Sequence, residues 1–120
     1  MHVIEVATFG QLPDGREAHI YTLSNQNGMS VDVSDYGATL VSVFTPDRDG
    51  EIQDLLHGYD SVDGYAESTN PYFGNSVGRF GNRIADGKFS LDGKDYTLAT
   101  NNDPGGISCH LHGGVNGFNR

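Results

Sequence analysis

Two short stretches in the second half of the chain carry side chains that could bind a polar ligand. In the first, Gly78-Arg-Phe-Gly-Asn-Arg-Ile84, Arg79 and Arg83 are four residues apart and Asn82 precedes the second arginine. Guanidinium groups and an amide together offer several fixed donors and an acceptor, which suits a ligand with many hydroxyls or a carboxylate. The spacing alone favours a plainer role, in which both arginines pair with some of the sixteen acidic side chains.

The second stretch, Cys109-His-Leu-His-Gly-Gly114, contains two histidines that could ligate a metal. If the chain is extended here, His110 and His112 point to one face and Cys109 points to the other. A metal site of this kind needs a carboxylate soon afterwards, and residues 115–119 supply none. We therefore expect no metal site. The plainer interpretation is a histidine packed or hydrogen-bonded at a strand end, with Cys109 as a small buried apolar residue.

Turn signals recur along almost the whole chain and predict a protein built from β-strands. Asp-Gly and Asn-Gly pairs tolerate the positive φ angles that tight hairpin turns require. The short runs between these pairs are rich in β-branched and aromatic residues, as strands are. The pairs are Asp14-Gly15, Asn27-Gly28, Asp49-Gly50, Asp63-Gly64, Asp86-Gly87, Asp92-Gly93 and Asn116-Gly117.

Four segments have patterns that specify their structure more closely. Met29–Ser34 alternates apolar and polar residues, whereas Ala38–Phe44 is apolar on both faces and predicts a central or covered strand. Asp47–Glu51 is predicted to be a hairpin turn and not a calcium loop, because its glycine and acidic residues have the wrong spacing. Asp60–Glu67 could form one or two turns of helix.

The strongest local prediction is a hairpin across Gly87–Leu98 with Asp92-Gly93 as its two-residue loop. In this register the apolar side chains share one face and the polar side chains share the other, so we expect a half-buried hairpin. The apolar face consists of Phe89, Leu91, Tyr96 and Leu98. The predicted facing pairs are Phe89 with Tyr96 and Leu91 with Lys94.

The composition describes an acidic, turn-rich chain with enough aromatic residues to build a core. The 120 residues carry a formal net charge of −9 and include 17 glycines, six Phe and six Tyr. An acidic chain is repelled by phosphate groups, so we expect no nucleic-acid or anionic-membrane partner. No apolar run approaches the roughly 20 residues of a membrane helix, and no signal-peptide pattern is visible. The single cysteine excludes an internal disulfide, so we expect a cytoplasmic protein.

Six motifs occur along nearly the whole chain in a recognisable order. They are Asp35–Leu40, Pro46–Glu51, Leu56–Asp60, Gly78–Ile84, Gly87–Phe89 with Leu91–Gly93, and Leu111–Gly114 followed by Gly117-Phe118. The most specific are Gly-Arg-x-x-Asn-Arg-Ile and Leu-His-Gly-Gly. As an ordered set, the motifs resemble the N-terminal part of the aldose 1-epimerases, also called galactose mutarotases.

This resemblance implies a fold, a reaction and a set of ligands. The fold is all-β: the N-terminal part of a galactose-mutarotase-like β-sandwich, or supersandwich, with at most one short helix. The reaction is the interconversion of the α and β anomers of free aldoses such as glucose or galactose, without a metal or an organic cofactor. By their positions in the motifs, Asn82 and Arg83 resemble sugar-hydroxyl ligands and His112 resembles the substrate-binding histidine, whereas Arg79 is expected to be structural.

The resemblance also implies that part of the site is absent from these 120 residues. The family's acid–base pair, a histidine and a glutamate, lies in later sequence; here no Glu follows Glu67 and no His follows His112. We therefore expect residues 1–120 to be a single partial domain, about the first third of the enzyme, without catalytic residues or activity and poorly folded or oligomeric alone. The alternatives are a non-catalytic carbohydrate-binding module of the same fold and a metal enzyme that uses His110 and His112.

Overall fold

The computed structural model describes residues 3–67 and 72–119. They form two compact units: the first holds the described residues up to Ser76 together with Asn119, and the second is Val77–Phe118. In the described ranges the strands are β1 (Val3–Gln11), β2 (Glu17–Ser24), β3 (Ser30–Ser34), β4 (Thr39–Pro46), β5 (Ile52–Asp54), β6 (Arg83–Ala85), β7 (Lys88–Leu91), β8 (Lys94–Thr97) and β9 (Cys109–Leu111), and the helices are α1 (Val62–Glu67) and two 3₁₀ turns, Pro104–Gly106 and Gly114–Asn116. The prediction of an all-β chain with at most one short α-helix is confirmed.

The first unit is an antiparallel meander in which five strands lie in sequence order, β1-β2-β3-β4-β5. The predicted strand Met29–Ser34 is β3, and Ala38–Phe44 corresponds to β4, which pairs with β3 on one side and β5 on the other. Thr39 and Val41 of β4 are buried, as residues of a covered strand should be. Both strand predictions are confirmed.

The turn between β4 and β5 is the predicted hairpin turn Asp47–Glu51. The Asp47 carboxylate accepts the backbone N–H groups of Asp49 and Glu51 at 2.8 and 3.0 Å. Gly50 has a φ angle of 87°, a conformation that glycine adopts without the penalty that other residues incur. The Asp47 carboxylate therefore binds the backbone of its own turn, as expected for a hairpin turn.

The helix α1 packs on the sheet of the first unit, inside the segment for which a short helix was predicted. Its Val62 is fully buried, and its Tyr65 is buried with a hydroxyl that accepts the Tyr59 backbone N–H at 3.2 Å. Burial raises the pKa of the Tyr65 phenol, so this group stays neutral in the core. The core around the helix is completed by Phe9, Ala18 and Val41. No helix in the described ranges is long and apolar enough to cross a membrane.

The second unit contains the predicted hairpin as β7 and β8. Its facing pairs are Phe89 with Tyr96 and Leu91 with Lys94, and Asp92 and Gly93 both have the positive φ angles of a tight turn. The register is therefore confirmed. The expected burial is found only in part, because Phe89 is 38% and Leu91 is 58% exposed. The Phe89 and Tyr96 rings instead stack on each other, with centroids 4.9 Å apart.

The remaining strands of the second unit, β6 and β9, form a two-stranded antiparallel pair. In its register Arg83 faces Leu111, Ile84 faces His110 and Ala85 faces Cys109. The pair brings together the two stretches that the sequence singled out, Gly78–Ile84 and Cys109–Gly114, although 24 residues lie between them along the chain.

We predict that Gly64→Ala destabilises the protein, although alanine is favoured over glycine in a helix by about 1 kcal/mol. A Cβ atom at position 64 would overlap the Tyr59 ring, which packs edge-on against Tyr65 with centroids 5.0 Å apart. The free energy of unfolding should fall by about 1–3 kcal/mol, measured by urea unfolding followed by circular dichroism. The control is Glu67→Ala, an exposed position in the same helix, which should change it by less than about 0.5 kcal/mol. An increase in stability for Gly64→Ala would contradict the packing.

Candidate functional site

The candidate site is centred on a reciprocal contact between Asn82 and His112, directly beyond the paired ends of β6 and β9. The Asn82 backbone N–H donates to His112 Nδ1 at 3.0 Å, and the His112 backbone N–H donates to the Asn82 carbonyl oxygen at 3.0 Å. Both residues have a left-handed backbone, with φ angles of 61° and 51°. This conformation costs a residue other than glycine about 1 kcal/mol, so the two hydrogen bonds must offset it.

The contact with Asn82 determines the tautomer of the neutral His112 ring. Because Nδ1 accepts the backbone proton of Asn82, the proton of the neutral ring is on Nε2. The ring therefore offers Nε2–H as its donor, and an oxygen that carries a lone pair, such as that of a hydroxyl group, is a suitable acceptor. The side chain of His112 is half-buried, which restricts the directions from which an acceptor can approach.

Arg83 is held beside this pair by two amide oxygens. Its Nε–H donates to Asn102 Oδ1 at 3.0 Å, and its Nη1 donates to Asn82 Oδ1 at 3.1 Å. A guanidinium has five N–H donors in one plane, so two fixed bonds set the direction in which the other three point. Amide oxygens carry no net charge, so the positive charge of Arg83 is left to interact with a ligand.

The plainer role that the spacing favoured for the two arginines, pairing with acidic side chains, is wrong. Among the described residues the close ion pairs are those of Arg16 with Asp14 and of His19 with Glu17 and Asp35. Arg79 instead places its guanidinium over the Phe118 ring, 5.3 Å from the ring centroid. This cation–π contact fits the structural role expected of Arg79.

Close backbone packing explains the glycines of the Leu-His-Gly-Gly motif. A Cβ atom on Gly113 would overlap the carbonyl oxygen of Gly78, and one on Gly114 would overlap the His110 ring. Both glycines also have positive φ angles, 93° and 77°. The motif therefore brings the chain past Gly78 at a distance that no other residue type permits, and it does so immediately after His112.

His110 and His112 have different partners, so they do not form a shared ligand set. His110 Nδ1 lies 2.8 Å from the carbonyl oxygen of Ala99 and is its donor. The extended conformation required for both rings to share a face ends at Leu111, because His112 is left-handed. Among the described residues no group of three or more His, Cys, Asp or Glu could hold a metal ion. Cys109 is a free thiol, only 2% exposed, as the sequence predicted.

A cavity of about 720 Å³ lies within the second unit, next to Arg83. Most of its lining is apolar, and neither Asn82 nor His112 contributes to it. A sugar needs hydrogen-bond partners on several sides, so this cavity does not replace the polar cluster as the candidate site. The lining residues are Arg79, Phe80, Arg83, Ile84, Phe89, Leu98, His110, Gly113, Asn116 and Phe118.

The structure thus brings together all three residues that the motifs suggested as ligands, Asn82, Arg83 and His112. The sequence patterns did not single out Asn102, which lies 19 residues after Arg83 in the chain and contacts its side chain. The one available signal was the pair of adjacent amides at Asn101 and Asn102. Local pattern does not reveal such a contact, because it depends on the register of three segments.

Comparison with known proteins finds relatives along most of the chain. A sequence model of the family described as aldose 1-epimerase matches residues 19–120. The galactose mutarotase of Bos taurus is 42% identical over 114 residues, which are 95% of this chain and 32% of the relative. The aldose 1-epimerase of Escherichia coli K12 is 38% identical over 108 residues, which are 90% of this chain and 30% of the relative. This chain therefore spans about a third of the length of these relatives.

Two solved structures of related proteins superpose on most of this chain. A GalM/aldose epimerase homologue from C. elegans superposes with a TM-score of 0.77 at 35% identity, covering 85% of this chain and 30% of the other. A galactose 1-epimerase from Lactobacillus acidophilus superposes with a TM-score of 0.75 at 28% identity, covering 99% of this chain and 32% of the other. The fold predicted from the motifs is confirmed.

We predict that Gly113→Ala disrupts the site, because its Cβ would overlap the Gly78 carbonyl oxygen. The matched control is Gly106→Ala, whose φ angle of 82° is similarly positive but whose Cβ would meet no atom within 4 Å. In the control, the free energy of unfolding should fall only by the conformational penalty of about 1 kcal/mol. In Gly113→Ala it should fall by more, and the amide NMR signals of Asn82 and His112 should shift. If urea unfolding gave the same decrease for both variants and the NMR signals did not shift, the close approach of Gly113 to Gly78 would be unimportant for the site.

Proposed function

This chain belongs to the aldose 1-epimerase family, and on that premise we propose that it holds the sugar in a site that interconverts the α and β anomers of a free aldose. The observation that carries the proposal is the clustering of Asn82, Arg83 and His112 through hydrogen bonds of 3.0 to 3.1 Å. These are the residues that match the sugar ligands implied by the family motifs. We assign them to substrate binding.

The cluster offers donors that suit the hydroxyl oxygens of an aldose. Arg83 presents guanidinium N–H groups in a plane fixed by Asn82 and Asn102, and His112 presents Nε2–H. A sugar hydroxyl can accept from either group. Because the donors are already oriented, binding loses less conformational entropy than it would with mobile side chains, which favours one pose of the ring.

Exchange of anomers needs two proton-transfer groups with complementary roles. A base takes the proton from the C1 hydroxyl while an acid protonates the ring oxygen; the ring opens to the aldehyde, the C1–C2 bond rotates, and the same groups act in reverse as the ring closes. Neither a guanidinium nor a side-chain amide acts as an acid or a base of the strength that this exchange requires. Since His112 alone is not a matched pair, we propose that these three residues position the sugar and leave proton transfer to other groups.

The binding role predicts that D-galactose perturbs the amide NMR signals of Asn82, Arg83 and His112 in the ¹⁵N-labelled chain. Arg83→Lys should weaken binding about tenfold, because an ammonium replaces the planar fork that two amides orient and because a hydrogen bond to a charged group contributes roughly 1.5–3 kcal/mol. The measurement is the dissociation constant from the chemical-shift titration.

The matched control for this titration is Arg79→Lys, the same substitution in the same motif. Its ammonium can still lie over the Phe118 ring, so the affinity should stay within about twofold of wild type. Signals that move only in the first unit, or an Arg83→Lys variant that binds as wild type does, would contradict the assignment of these residues.

The division of roles predicts that the 120-residue chain does not accelerate mutarotation. Polarimetry of freshly dissolved α-D-galactose should give the same rate constant with the wild-type chain, with Arg83→Lys and with buffer alone, because binding without a matched acid and base does not lower the barrier to ring opening. A rate well above the spontaneous one that falls in Arg83→Lys would show that the chain supplies the proton-transfer groups itself.

A further inference from the structure

The two adjacent amides Asn101 and Asn102 lie along the edge of β9 opposite β6. The backbone N–H groups of Asn101 and Asn102 donate to the Cys109 carbonyl oxygen at 3.1 and 3.3 Å, and the Cys109 N–H donates back to the Asn102 carbonyl oxygen at 2.8 Å. The strand that precedes His112 is therefore held from both sides, by β6 on one edge and by these two residues on the other.

The Asn101 side chain continues this edge by one further residue. Its Oδ1 accepts the Leu111 backbone N–H at 2.7 Å, and its Nδ2 donates to the Leu111 carbonyl oxygen at 3.0 Å. The Asn101 amide thus forms hydrogen bonds with both the N–H and the carbonyl group of Leu111, the last residue of β9. Since His112 follows Leu111 directly, the Asn101 amide holds the point at which the chain enters its left-handed turn.

The Asn102 side chain reaches across β9 to Arg83. The pairing puts Asn102, Cys109 and Ala85 in one row across three segments, and Arg83, two residues before Ala85, has its side chain on the same face. Arg83 Nε then lies 3.0 Å from Asn102 Oδ1. The contact depends on the register of all three segments, because a shift of one residue would move Arg83 to the other face.

From this geometry we propose that Asn102 is a positioning residue for the sugar site. Its amide oxygen accepts from Nε of the Arg83 guanidinium while Asn82 Oδ1 accepts from Nη1, so the directions of the three remaining N–H donors are fixed before the sugar arrives. Asn102 does not touch the sugar; it acts through Arg83. The inference rests on the proposed function, because Arg83 is assigned there as a sugar ligand.

The neutral charge of an amide suits the role of position 102. A carboxylate there would neutralise the guanidinium as well as orient it, whereas an amide accepts the same hydrogen bond and leaves the positive charge available to the ligand. The structural contacts of Asn102 are its backbone bridge to Cys109, which any residue type except proline can form, and the weak hydrogen bond that its Oδ1 accepts from the Cys109 thiol at 3.5 Å. Neither of these contacts orients Arg83, so the hydrogen bond from Arg83 Nε to Asn102 Oδ1 is the contact that a functional test must address.

The test compares Asn102→Leu with Asn102→Asp in the full 120-residue chain, since both keep the γ-branched shape but only Asp keeps an acceptor. The control is Asp103→Asn, the reverse exchange at the exposed neighbouring residue. The first measurement needs no sugar: the ¹⁵Nε–¹H signal of Arg83 and its rate of solvent exchange. The second is the D-galactose titration. If Asn102→Leu does not fold, as shown by loss of the amide signals of residues 77–118, Asn102→Ala takes its place.

We expect Asn102→Leu to shift the Arg83 Nε–H signal, speed its exchange and weaken galactose binding about fivefold to tenfold. Asn102→Asp should retain a protected Nε–H, and it should bind galactose more tightly than Asn102→Leu but about twofold to threefold more weakly than wild type, because its carboxylate neutralises the guanidinium that it orients. Asp103→Asn should change neither measurement. An unchanged Arg83 signal in Asn102→Leu, or wild-type affinity in that variant, overturns the inference. A wild-type chain that does not bind galactose overturns the proposed function instead, and the sugar-free Arg83 signal still decides whether Asn102 orients the guanidinium.

Discussion

The reciprocal hydrogen bonds between Asn82 and His112 are the constraint on which the candidate site depends. They connect Asn82, just before β6, to His112, just after β9, at one end of the strand pair. They also hold both residues in the left-handed region and fix the tautomer of the neutral histidine. Arg83 is then the first residue of β6, directly beside this contact, and Gly113 is the first residue beyond it. The reciprocal pair thus lies between Arg83 and the close passage of Gly113 past Gly78.

Around this contact the site is organised by amides and not by carboxylates. Twelve of the sixteen acidic residues lie in the first 78 positions, whereas five of the seven basic residues lie after them. Arg83 accordingly finds amide oxygens from Asn82 and Asn102 as partners, and these orient its guanidinium without neutralising it. Such a site suits an uncharged ligand rich in hydroxyls, because recognition depends on directed donors and not on the attraction of opposite charges.

Much of the local structure followed from the sequence because short-range physics decides it. The Asp92-Gly93 loop sets the register of its hairpin, and the Asp47 carboxylate binds the backbone N–H groups of its own turn. The interpretation of the arginines failed for the opposite reason: the choice between a carboxylate, an aromatic ring and an amide depends on what long-range packing places nearby. The expected burial of the hairpin face failed in part for the same reason, since Leu91 remains 58% exposed.

The sequence by itself therefore determined the strand-and-turn character of the chain, its family and the three candidate ligands Asn82, Arg83 and His112. Each of these follows from residue types at close spacing or from motifs in a fixed order. Only the tertiary structure decided which atoms of these three residues form hydrogen bonds, that His110 donates to the Ala99 carbonyl oxygen, and that Asn102 accepts a hydrogen bond from Arg83. The physical reason is that these contacts join segments from 11 to 30 residues apart, where the pairing register and not the local sequence sets the distance between two atoms.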